Sequence, residues 1–258
     1  MNHQPNVNPR IFLVALAVFF SLLALWLFYW QGYHVGFLVI NSFGLNLPDV
    51  LIQCITVLGD ASVTLGLFWL CAFRHPRMLA CGMLAAIVMA IVIHLIKDQV
   101  GALRPASIFS LDAFRQSGEL LKKSSFPSGH TATFVTLMTL VVLQYRYLWV
   151  YGVCFLLAII VGLSRVWVGA HWPIDLLVGA SIGIIVVLIV DRYIDRYPQL
   201  FSTYIQKSIH LLLLLNTGQL FFRHLGYPDA KWFVILIALM VLIINSYWFY
   251  QDKKRVTT

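Results

Sequence analysis

The sequence predicts an all-α fold, a polytopic transmembrane helical bundle. Hydrophobic residues make up 60% of the 258 and charged residues 11%, against about 45–50% and about 25% in an ordinary soluble domain. Long uncharged apolar runs recur along the chain, and the polar residues gather at the ends of those runs. A chain of this size has too little interior to hide so much apolar surface. Soluble globular, disordered and disulfide-scaffold classes are therefore excluded.

The runs can be taken in order. Ile11–Trp30 is free of charge and long enough to cross about 30 Å of hydrocarbon. Its length, its aromatic end and the lack of a small-residue cleavage site set it apart from a signal peptide. Leu47–Leu58 is apolar but interrupted by Asp49 and Gln53 and reads as an interfacial helix. Asp60 then precedes Ala61, where a carboxylate caps a helix start; a catalytic role is the other reading. Ala61–Phe73 is short for a crossing and ends at Arg74-His75-Pro76. Met78–Ile96, Thr131–Leu143, Leu148–Val168, Pro173–Val190 and Trp232–Tyr250 follow. Tyr204–Phe222 contains Lys207, His210, Asn216 and Gln219, so either a crossing or a surface helix fits. The crossing reading gives eight spans and leaves Lys253, Lys254 and Arg255 on the cytoplasmic side. The chain thus divides into a six-span core, residues 1–200, and a C-terminal hydrophobic extension, residues 201–258, of one or two further helices.

Eighteen Lys and Arg stand against ten Asp and Glu, a net charge of +8. The basic residues are dispersed between apolar runs, which argues for membrane topology or an anionic substrate rather than nucleic acid. Arg10, Arg74, Arg77, Arg146, Arg192, Arg196 and Lys207 place their loops in the cytoplasm by the positive-inside rule. The segment carrying Lys97, Arg104, Arg115, Lys122 and Lys123 falls on the opposite side by parity, so those charges call for another task. Cys54, Cys71, Cys81 and Cys154 lie in apolar runs and read as small buried hydrophobes. Trp26, Trp30, Trp167 and Trp172 read as interfacial belts, and His94 as a buried, satisfied histidine or a supporting residue of the site.

Three polar clusters fall on that same side. Lys97 and Arg104 are seven residues apart, with Gly101 and Pro105 ending the helix between them. A cation at a span end and a second in a turning loop clamp an anion, unless both merely snorkel. Pro127-Ser128-Gly129-His130 opens a span. A helix start there aims free amides at an anion, with Gly129 admitting close approach and Ser128 donating or capping. The third cluster is Ser164-Arg165, His171, Pro173 and Asp175. Pro173 suits the first helical position, which sets Asp175 where it orients the His171 imidazole. Three cations, a helix N terminus, two histidines and a carboxylate suit phosphoryl transfer without a metal.

These clusters resemble the three-part signature of the type-2 phosphatidic acid phosphatase superfamily, K-x6-RP, PSGH and SR-x5-H-x3-D. Every signature position is filled, over roughly Met78 to Val190. The resemblance implies His171 as the nucleophile that forms a phosphohistidine, Asp175 as its orienting partner and His130 as the general acid. It implies Lys97, Arg104, Ser128, Gly129 and Arg165 as phosphate ligands, with no metal and no cofactor. It also implies a bilayer-resident lipid phosphate or pyrophosphate substrate, met at the outer face of a bacterial inner membrane, with no obligate protein partner. A lipid phosphotransferase or lipid A phosphatase shares these motifs, and soluble vanadate haloperoxidases share the anion pocket but not this composition. An anion transporter is the rival from another class, disfavoured because transporters hold charges near mid-membrane.

Overall fold

The computed structural model describes residues 8–257. Eleven α-helices are present among them: α1 Pro9–Gln31, α2 Phe37–Gly44, α3 Asp49–Val57, α4 Ala61–Ala72, α5 Pro76–Val100, the short α6 Pro105–Ile108, α7 Gly129–Gln144, α8 Leu148–Trp167, α9 Pro173–Tyr193, α10 Thr203–Gln219 and α11 Lys231–Thr257. Helices α1, α5, α8, α9 and α11 are long and apolar enough to cross a membrane, and α4 and α7 are shorter apolar helices. The chain is an integral, polytopic helical bundle.

Local chemistry sets the boundaries. The Asp60 carboxylate accepts the amides of Ser62 and Val63 and so caps α4. Gly101, at φ 58°, ends α5 in the left-handed region that glycine tolerates. Pro173 opens α9 at its first position.

Two elements depart from expectation. Helix α2 lies outside the apolar runs taken from the sequence, between Trp30 and Leu47, and α2 and α3 form a pair bent by 115° that packs on α8. Helix α3, expected at the interface, buries one side against the bundle. Ile52, Gln53, Cys54, Thr56 and Val57 are buried, and Gln53 bears burial because it bonds Ser117 and Asp229. Helix α10 runs along α4: Gln206 reaches the Pro76 carbonyl near its start, while Asn216 and Gln219 reach Ser62 near its end. His210 accepts from Trp69 Nε1. Of the polar residues that made this segment ambiguous, His210, Asn216 and Gln219 bond to α4.

Side-chain bonds define the two ends of the bundle. At one, buried Asp191 receives Arg10 at 2.7 Å and Arg77 at 2.6 Å. Arg77 also pairs with Asp195, Arg74 with Asp252, and Gln144 meets His75. The starts of α1 and α5, the ends of α4, α7, α9 and α11, and the start of α10 thus share that end. The end of α5 and the starts of α7 and α9 share the other.

Helices α7 and α9 approach at backbone distance. A Cβ at Gly179 would lie 2.6 Å from the Ser128 carbonyl oxygen, and one at Gly183 would lie 2.6 Å from that of Ala132. Small residues one turn apart permit this approach between membrane helices, and it sets the start of α7 beside the first turn of α9. The extension is packed into the same interior: Leu213, Leu220, Val234, Ala238 and Val241 join one apolar cluster with Val63, Leu79 and Leu137.

Candidate active site

The three clusters meet at one end of the bundle. His171 precedes α9, and its Nδ1 lies 3.1 Å from Asp175 Oδ2. Its Nε2 lies 3.3 Å from Arg104 Nη1. A guanidinium only donates, so Nε2 accepts that bond with its lone pair and Nδ1 carries the proton toward Asp175. Burial, then the charges of Arg104, Arg165 and Lys97, hold His171 well below the ordinary imidazole range. These effects favour the neutral ring, with an unprotonated Nε2 facing Arg104.

Asp175 has no spare capacity. Oδ1 accepts from Tyr33 Oη at 2.5 Å. Oδ2 accepts from Ser125 Oγ at 2.5 Å and from the Trp172 amide at 3.0 Å, besides His171. Burial, then the negative charge of Asp175, hold the Tyr33 phenol well above its ordinary range, so it remains a donor. A carboxylate held this way orients its histidine rather than exchanging protons with it.

Arg104 is cradled by backbone carbonyls. Its Nε donates to Lys123 at 2.8 Å, Nη1 to Ala170 at 2.9 Å and Nη2 to Ser124 at 3.2 Å. Lys97 Nζ donates to the same Ser124 carbonyl at 3.0 Å. The loop after α6 thus gathers two cations with its own dipoles. Arg115, in the same basic loop, pairs with Asp49 and the Leu47 carbonyl, a structural use.

Arg165, at the end of α8, is 1% exposed. Its Nη1 donates at 2.7 Å to both Thr56 Oγ1 and Tyr227 Oη. Its Nε is buried and has no hydrogen-bond partner among the described residues. A buried charged donor left unmatched is costly, and an oxyanion in the pocket would relieve it.

Ser128 caps α7, its hydroxyl sharing a hydrogen with Thr131 Oγ1 at 2.9 Å, and its amide donates to the Asp175 carbonyl at 3.0 Å. Of the two roles read for its hydroxyl, capping is the one seen. Gly129 has only Ile93 near its missing side chain, which leaves room above the first amides of α7. His130 is the second residue of α7, and Gly59 packs on it, where a Cβ would lie 3.0 Å from that of the histidine.

Two expectations fail. Trp172 is not an interfacial belt residue but is fully buried, bonded to the Leu103 carbonyl and ringed by Tyr33, His34, Phe37 and Phe109. His94 is exposed and bonded to the Ala90 carbonyl, not buried. Trp26 and Trp30 are exposed and stacked on one another. Four site residues escaped the sequence reading: Tyr33, Thr56, Ser125 and Tyr227. Only Thr56, a polar residue inside an apolar run, left a signal.

Fold and site together define an integral membrane protein with a cationic, histidine-bearing pocket at one end of its helices. The chain belongs to the PAP2 superfamily, which it matches over residues 78–198. Among similar proteins, the undecaprenyl-diphosphatase of Sulfolobus acidocaldarius is 32% identical over 117 residues, 43% of this chain and 53% of that one. This chain therefore spans about half the length of that curated relative. The LpxE structure from Aquifex aeolicus superposes with a TM-score of 0.53 at 30% identity, covering 61% of this chain and 93% of that one. A PAP2-type phosphatidylglycerolphosphate phosphatase from Bacillus subtilis shares the fold, with a TM-score of 0.52 at 22% identity over 71% of this chain and 96% of that one.

Proposed function

We propose that the chain is a metal-independent membrane lipid phosphatase working through a phosphohistidine at His171. The observation that carries this reading is the placement of the His171 ring, with Nδ1 3.1 Å from Asp175 Oδ2 and Nε2 3.3 Å from Arg104 Nη1.

In the first step Nε2 attacks phosphorus. The bond from phosphorus to the leaving oxygen breaks as His130 gives that oxygen a proton. Arg104, Arg165, Lys97 and the first amides of α7 neutralise the equatorial oxygens. In the second step a water gives its proton to His130 and attacks phosphorus. The phosphorus–Nε2 bond breaks with its electron pair returning to Nε2, inorganic phosphate leaves, and His171 is neutral again.

A lipid substrate is supported by an apolar groove of about 420 Å³ between α1, α5 and α9, lined by Ala24, Phe28, Val100 and Ile174. Tyr33, the donor to Asp175, is part of its wall. Tails can lie in that groove while the headgroup meets the cations. Undecaprenyl pyrophosphate, phosphatidylglycerophosphate and lipid A are the substrates to be tried, in line with the names of the relatives. Arg10, Arg74 and Arg77 at the far end of the bundle support a site on the outer face.

The test is phosphate release by detergent-purified protein in EDTA from each of these lipids and phosphatidic acid, with and without an acceptor lipid. Free phosphate from one lipid supports the reading and names the substrate. Label passing to the acceptor without free phosphate would make the protein a phosphotransferase, and activity only with added magnesium would overturn the metal-free route.

A further inference from the structure

The residues that hold Arg165 come from outside the matched segment. Residues 78–198 contain the three signature clusters, yet neither partner of Arg165 Nη1 lies there. Thr56 belongs to α3. Tyr227 sits in the turn between α10 and α11, in the C-terminal extension, and donor and acceptor are 2.7 Å apart. The guanidinium carbon also stands 5.6 Å from the centre of the Tyr227 ring.

That turn is docked from both flanks. On one side of Tyr227, the Gly226 carbonyl accepts from the Glu119 amide at 2.8 Å. On the other, Asp229 exchanges two bonds with the Gln53 amide, at 3.0 and 2.9 Å. The ring itself rests on Gly118, where a Cβ would lie 2.4 Å from the ring edge. The phenol is thus delivered by elements that are held independently of it. A phenylalanine would keep the packing and the ring face under the guanidinium. Among the described residues, the Tyr227 hydroxyl bonds only to Arg165.

We infer that Tyr227 is a positioning residue of the active site, fixing Arg165 for the phosphoryl oxygens, and that the α10–α11 hairpin is a working part of that site. The inference rests on the phosphatase reading above. Its physical basis is preorganisation: a guanidinium with one terminal nitrogen pinned by two hydroxyls presents its remaining donors without reorganising as charge develops. Losing one of two pins lets the group turn, which weakens the transition state more than the ground state. The hydrogen bond to a charged group implies a fall of roughly tenfold.

The experiment compares full-length wild type with Tyr227→Phe in detergent. The readouts are kcat and KM for phosphate release, orthovanadate affinity by calorimetry, and the thermal midpoint. The expected result is a roughly tenfold lower kcat and a similarly weaker vanadate affinity, with KM and the midpoint little changed. Thr56→Val, which removes the other pin from the same nitrogen, is expected to weaken vanadate in the same way. If wild type binds vanadate and turns over while Tyr227→Phe matches it in both, the positioning role is overturned and the phosphatase reading stands. A variant that loses its fold, or one whose kcat and midpoint fall together at unchanged vanadate affinity, assigns Tyr227 to structure and also overturns the role. Wild type that neither binds vanadate nor releases phosphate removes both readings.

Discussion

His171 and Asp175 stand one helical turn apart across the start of α9, with Nδ1 and Oδ2 separated by 3.1 Å, and neither side chain is more than 2% exposed. Asp175, in the first turn of α9, reaches back to His171, which lies just before the helix cap Trp172. The Trp172 amide binds the same Oδ2, so the helix cap and the orientation of the imidazole are one arrangement. Asp175→Asn keeps the shape but cannot hold Nδ1–H and the other donors equally. A loss in kcat on the order of a thousandfold or more is expected, the size associated with a misplaced tautomer, with little change in vanadate affinity. Tyr33→Phe leaves three of the four donors to Asp175 and is expected to lose far less, roughly tenfold. Steady-state rates on one lipid with both variants check the order.

The two histidines are separable by their leaving-group dependence. On the proposed mechanism His171→Ala removes the nucleophile, so no phosphoenzyme is expected and no substrate is expected to escape the loss. His130→Ala removes proton donation, worth roughly 10²–10⁴-fold; on an aryl phosphate whose leaving oxygen needs no proton the deficit is expected to shrink in phosphoenzyme formation, read as kcat/KM, while kcat stays low because the second step still lacks its base. Trapping labelled phosphoenzyme in acid-free quench is expected to succeed for His130→Ala with that aryl substrate and to fail for His171→Ala. Near wild-type turnover by His171→Ala would sink the nucleophile assignment.

The close approach of α7 and α9 makes a third prediction. Gly179→Ala puts a Cβ 2.6 Å from the Ser128 carbonyl, a backbone atom that cannot turn away. The start of α7 must shift, carrying Ser128, Gly129 and His130 with it. Overpacking of this kind costs about 1–3 kcal/mol, and a lower thermal midpoint together with reduced kcat is expected. Gly152, with nothing within 4 Å of its missing side chain, is the control: Gly152→Ala is expected to leave both unchanged.

The parts of the site that were legible in the sequence are those that chemistry forces to stand out against an apolar background. Lys97, Arg104, Arg165, His171 and Asp175 are polar residues at the ends of apolar runs, where a charge needs a reason. Tyr33, Ser125 and Tyr227 are hydroxyl residues in loops, where such residues are ordinary. Their significance is tertiary: Tyr33 is 142 residues from Asp175 and Tyr227 is 62 from Arg165. Burial is tertiary in the same way. Trp172 carries the side chain of an interfacial residue but is covered by α2 and the loop after α6, and His94 faces outward because α5 is lined on one side only. The apolar runs fixed most helices, yet α2 escaped because an eight-residue helix between glycines and a bend leaves no spanning-length signal.

The low position of His171 gives the last prediction, on pH. Burial, then Arg104, Arg165 and Lys97, favour its neutral form in the folded protein, whereas the unfolded chain titrates near 6.5. Between the two values the unfolded state binds one more proton than the folded state. Stability therefore rises with pH across that interval, by about 1.4 kcal/mol per unit for a single group. The contribution is fully present above pH 6.5 and is lost as pH falls below it. On the proposed mechanism the same shift favours the unprotonated ring needed for attack, so the acid limb attributable to His171 in kcat/KM is expected well below the ordinary imidazole range. Thermal midpoints of wild type and His171→Gln between pH 7.5 and 4.5 check the first part. The wild-type midpoint is expected to fall more steeply below pH 6.5, because the glutamine variant has no imidazole to protonate on unfolding. Parallel curves would show that His171 titrates alike in both states, and would remove the case for a neutral ring held among cations.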